Sequence, residues 1–94
     1  MMNFEQVDTK ITNCGYRRHA GTRTEYNEAT DTTQKVYDYE HRKKLDMFSV
    51  YTNEVGSVVC VEFTKVTFNP ETRRYTQKVT TIESITELNK FLSK

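Results

Sequence analysis

The stretch from Ser57 to Ile82 constrains this chain more than any other. Ser57-Val58-Val59-Cys60-Val61-Glu62-Phe63-Thr64-Lys65-Val66-Thr67-Phe68 is β-branched and aromatic, Asn69-Pro70-Glu71-Thr72 interrupts it, and a second such run leads from Arg73 to Ile82. Such side chains fit a pleated surface, and Pro after Asn presets a turn that the Asn side chain closes, so the stretch reads as a β-hairpin. A four-residue loop would pair Phe68 with Arg73, Val66 with Tyr75, Thr64 with Gln77 and Glu62 with Val79. One hairpin face is then apolar near the tip, with Phe68, Val66 and Tyr75. The other sets Thr67, Lys65, Phe63, Val61 and Val59 against Arg74, Thr76, Lys78, Thr80 and Ile82, and is cationic toward the tip.

Leu45 to Thr52 reads as a third strand, joined to the hairpin through Asn53-Glu54-Val55-Gly56, and three consecutive strands with short links make a meander. Lys35 to Glu40 has a strand pattern with Tyr37 and Tyr39 on one face, and Thr22 to Tyr26 can pair with it. Phe4, Val7 and Ile11 suit a helix, while Val7, Thr9 and Ile11 suit a strand. Ser84-Ile85-Thr86-Glu87 is a capping-box pattern, followed by Leu88, Phe91 and Leu92 on one face with Ile85, so a short amphipathic helix ends the chain. The expected class is α+β: an antiparallel β-meander of about 4–5 strands with a C-terminal α-helix packed on one face.

Ninety-four residues suit a single small domain, 1–94. Only four of its 20 Val, Ile, Leu and Phe residues lie in the first 44 positions, so residues 34–94 are expected to carry the core as a self-sufficient meander plus helix. Residues 1–33 are expected to order by borrowing apolar surface, with partial mobility. Low net charge, +1, argues against a disordered chain. No apolar run is long enough to span a bilayer, and the start, Met1-Met2-Asn3-Phe4-Glu5, lacks a basic, apolar leader, so a cytoplasmic protein without membrane contact is expected. Two cysteines are too few for a secreted disulfide framework, and Cys60, inside Val58-Val59-Cys60-Val61, reads as a small core residue.

Chemistry-bearing motifs are scarce. Cys14, His19, His41 and Cys60 have zinc-ligand chemistry without zinc-site spacing, so no metal is expected. Gly15, Gly21 and Gly56 form no phosphate-cradling loop, neither His lies in a nucleophile motif, and Asp38 with Glu40 matches a solvated strand face. A non-enzyme without cofactor follows.

Two binding readings are left. Tyr16, Tyr26, Tyr37 and Tyr39 have little local core to enter and are accompanied by Arg17 and Arg18, the residue types enriched at interface hot spots. They point to stoichiometric binding of a partner protein by an accessory or regulatory protein of the inhibitor or adaptor kind, with edge-strand homodimerisation as one version. The alternative is nucleic-acid binding by the basic hairpin face, through Lys65, Arg73, Arg74 and Lys78, against which the near-neutral charge balance weighs.

Overall fold

In the computed structural model, which describes residues 2–93, the dominant hairpin is β5 (Val58–Asn69) with β6 (Arg74–Ile82), and β4 (Met47–Thr52) pairs antiparallel with β5. Its register differs from the expected one by two residues: Phe68 faces Tyr75 rather than Arg73, and Val61 faces Ile82 rather than Thr80. The loop explains the shift. Asn69 stays in the ladder opposite Arg74 while its Oδ1 accepts the Glu71 amide hydrogen, and Arg73 closes the loop at φ +55. Because a side chain's face alternates with period two, this shift leaves the residues from Cys60 to Ile82 on the faces expected of them, while Val58 rather than Val59 joins Val61 in the core.

Upstream, β3 (Thr32–His41) pairs with β4 and completes the meander. Its outer edge receives two short strands, β2 (Arg23–Asn27) along one half and β1 (Tyr16–Arg18) along the other. The sheet therefore has six antiparallel strands, running β1-β3-β4-β5-β6 with β2 on the same edge of β3 as β1. A bulge at Val59 shifts the β4–β5 register, so that Thr52 meets Val58 while Tyr51 meets Cys60.

The helix-or-strand ambiguity at the start resolves as a helix, α1 (Phe4–Thr12), because Asn3 caps it by accepting the Gln6 amide hydrogen at 3.1 Å. The second helix, α2 (Ile85–Leu92), begins as expected, with Ser84 Oγ accepting the Glu87 amide hydrogen at 3.2 Å. Both helices lie on one face of the sheet. Val7 and Ile11 of α1 and Leu88 of α2 meet Tyr39, Phe48, Val50, Val61 and Ile82 in a single cluster. Rings of Tyr16, Phe48, Phe63 and Phe91 form a chain across this layer, with successive centroids 4.8, 4.8 and 5.3 Å apart.

Residues 34–94 are thus not the whole of the core. Val7 and Ile11 are fully buried, and Met2 bridges antiparallel to Val58. Tyr39 has no solvent exposure, and its hydroxyl donates to Asp8 on α1 at 2.7 Å, so it ties α1 to the sheet and is unavailable to a partner.

Large-to-small substitution in a packed core removes both transfer energy and packing, so Ile11→Ala and Leu88→Ala should each lower unfolding free energy by about 2–4 kcal/mol in urea titrations. Leu88→Asp and removal of residues 1–33 should abolish the cooperative transition. A truncated chain that unfolds like the full one would contradict the place given to α1.

Candidate functional site

Six strands present two faces, and the helices cover one. Strand alternation sends Arg17, Arg23, Glu25, Asp38, Glu40 and Glu62 to the open side. At its centre Asp38, only 8 % exposed, receives Arg23 Nε at 2.5 Å and Arg23 Nη2 at 2.9 Å. Ser49 Oγ donates to the same carboxylate at 2.8 Å, and Arg23 Nη1 reaches Glu25 at 2.5 Å. The paired guanidinium holds the Asp38 pKa below the usual carboxylate value against the opposing effect of burial. Beside this network the Tyr51 hydroxyl is kept protonated by burial and by its hydrogen bond to Glu62, and His19 Nε2 lies 3.3 Å from Glu40.

Toward the hairpin tip the same face turns apolar. The Phe68 and Tyr75 rings pack across strands, tilted at 43° with centroids 4.9 Å apart, on the same face as Val66 and Val79. They stay open to solvent, Phe68 at 46 %, Val79 at 53 % and Tyr75 at 63 % exposure. The open face therefore combines an aromatic and aliphatic end with a charged centre in which carboxylates outnumber cations.

The residues singled out from sequence do not assemble as one patch. Tyr16 is wedged edge-on against Phe48 and His41, at 4.8 Å from each, and burial, Asp46 and Cys14 push its pKa up to about 12. Tyr37 packs on Phe4 at 4.5 Å, while Arg18 lies over both rings and pairs with Asp8 at 3.4 Å. Arg17 points to the open face, away from Arg18. Tyr26 is exposed and hydrogen bonds to Asp31, one hairpin end away from the others. Tyr16, Tyr37 and Tyr39 cover the helix side of the sheet, so the proposed N-terminal aromatic surface is spent largely on the chain's own core.

On the hairpin, Lys65 faces Lys78 and Arg74 faces Asn69, all on the helix side of the sheet beyond α2, while Arg73 sits in the loop. Cys60 is half-buried on the open face beside Tyr51 rather than in the core, and burial, Glu62 and Glu83 raise its thiol pKa. Among the described residues no group of His, Cys, Asp and Glu side chains could hold a metal ion, and no helix is long and apolar enough to cross a membrane.

The Arg23–Asp38 pair was missed in the sequence. Its signal was Asp38 itself, a carboxylate inside the β-rich run Val36-Tyr37-Asp38-Tyr39, where an unpaired charge would be costly to bury. Comparison of this chain with protein-family models, with curated proteins and with solved structures finds no match.

Asp38 is buried while Arg23 is half-exposed, so Arg23→Gln leaves a buried carboxylate without its charged donor but within reach of water, and should cost about 1 kcal/mol in urea unfolding at neutral pH. A carboxylate with a depressed folded pKa contributes stability above its unfolded value, about 3.9, and loses it as pH falls toward the folded value. Stability of the native chain should accordingly drop on acidification below about pH 4, with a shallower slope in Asp38→Asn than in the native chain.

Proposed function

We propose that this protein works without catalysis, by stoichiometric binding of a partner protein to the open face of its sheet, as an adaptor or inhibitor. The observation that carries the reading is the exposed, tilted Phe68–Tyr75 ring pair with Val66 and Val79, set on the two-stranded end of the sheet and left uncovered by either helix. Exposed aromatic and aliphatic side chains grouped on one surface are what interface centres are made of. The neighbouring charged centre supplies specificity. Glu40 and Glu62 favour a partner whose contact surface carries Lys and Arg to one side of an apolar patch. Both cysteines are free thiols, which suits a reducing, cytoplasmic setting.

The test is a comparison of variants. Immobilised native protein and the Phe68→Ala, Tyr75→Ala and Lys78→Gln forms are used to capture partners, and the captured protein is then purified and titrated by calorimetry. One-to-one binding weakened roughly 10- to 100-fold by either aromatic substitution, and unchanged by Lys78→Gln, is the expected result. A partner that binds Phe68→Ala and Tyr75→Ala as tightly as the native chain would overturn the reading.

A further inference from the structure

A second surface lies on the helix side of the hairpin, opposite the face assigned to a partner protein. Lys65 and Lys78 are directly opposed in the antiparallel ladder, and Arg74 follows on the same face four residues along β6, about 13 Å away at strand spacing. Like charges opposite one another across strands repel, and among the described residues neither lysine makes an ion pair. This is an uncompensated cationic ribbon, and an anion along it would relieve the repulsion.

The ribbon runs into a cleft of about 360 Å³ between α2, β5 and the β3–β4 connection. Phe63 and Phe91 form one wall, with Lys65 at the mouth. His41 lines another. Its Nδ1 accepts the amide hydrogens of Lys43 and Lys44, at 2.9 and 3.2 Å, so in the neutral ring the proton sits on Nε2 as a donor. Gly15, at φ +93, lets the backbone approach that nitrogen: a Cβ here would lie 3.0 Å from Nε2. Tyr16 keeps its hydroxyl proton, as its raised pKa dictates.

Charge decides which part of a ligand goes where. Both helices begin near the Val58–Ile82 end of the sheet and finish beside the cleft, where the Cys14 thiol faces the Leu92 carbonyl at 3.9 Å. Their C-terminal ends place partial negative charge there and Asp46 adds a carboxylate, against Lys44 and Lys65 in the same lining. With charges of both signs in the cleft, a neutral, flat, hydrogen-bonding ring suits its aromatic wall, whereas the ribbon, which carries cations alone, favours an anionic group. We infer that this face binds single-stranded nucleic acid, with a base in the Phe63–Phe91 cleft and the phosphates following Lys65, Lys78 and Arg74. Base stacking on aromatics and phosphate pairing with a basic groove are the two interactions by which single strands are held.

The shared chemistry of a free nucleotide and a strand is a base carrying phosphate, so both are tested. Fluorescein-labelled oligothymidylate is titrated with the protein by fluorescence anisotropy over a series of potassium chloride concentrations, and thymidine monophosphate is titrated by amide NMR. Lys65→Gln and Lys78→Gln should each lower the slope of log affinity against log salt by about 0.7, while Lys35→Gln, an equal loss of charge elsewhere, leaves it unchanged. The mononucleotide should shift amides of Gly15 and Lys65 weakly, and the oligonucleotide should shift Lys78 and Arg74 as well. Equal affinity for the two ligands, no oligothymidylate binding at low salt, or a slope indifferent to Lys65→Gln and Lys78→Gln would overturn the inference. Circular dichroism of each variant confirms that it is folded before it is compared.

Discussion

The structure is governed by a shortage: the chain has enough large apolar side chains to bury one face of a six-stranded sheet and not two. An antiparallel sheet tolerates this, since its backbone is satisfied within the ladder and one side can face water. Everything else follows from how the shortage is met. Val7, Ile11 and Leu88 come from helices at opposite ends of the chain, and both helices are spent on the same side. Tyrosines are drafted where aliphatics are lacking. Tyr39 is buried whole, and its hydroxyl is satisfied by Asp8 rather than by solvent.

The other side is held by polar contacts. Arg23 grips Asp38 with two parallel hydrogen bonds, a geometry that fixes orientation as well as contributing energy, and Ser49 takes part in the same network. This fastens the short strand β2, which has few apolar residues of its own, onto β3. It also gives the two sides different electrical characters. Carboxylates prevail on the open face, while lysines line the helix side of the hairpin. A chain of net charge +1 thus carries two surfaces of opposite electrical character, which the total alone conceals.

Much of the architecture was legible because it is written in local patterns. The hairpin, the meander and the Ser84 cap each depend on residues close in sequence, and all were readable from period, turn chemistry and capping. From Cys60 onward the assignment of residues to hairpin faces survived even though the register did not, because moving the four-residue loop one position along the chain shifts each partner by two. What escaped was non-local. Three residues of β1, two of them arginines, carry no strand signal and are ordered by the free edge of β3. The contribution of α1 to the core depends on where Val7 and Ile11 land, which a sparse N-terminal half did not announce. For the same reason Tyr16, Tyr37 and Tyr39, read as a surface, proved to be covering for the sheet, while the exposed aromatic pair lay at the hairpin tip.

β4 pairs with β5 only as far as Met47 opposite Thr64, so from Lys65 outward β5 has a single neighbour and the sheet narrows to a two-stranded ribbon. Two strands alone are marginal in water and twist more strongly than a wide sheet. Residues 65 to 78 are therefore held by fewer ladder contacts than β3 and β4, the arrangement from which local opening below the free energy of global unfolding is expected. Each face of the ribbon can adjust its curvature to what lies against it while the six-stranded body stays closed.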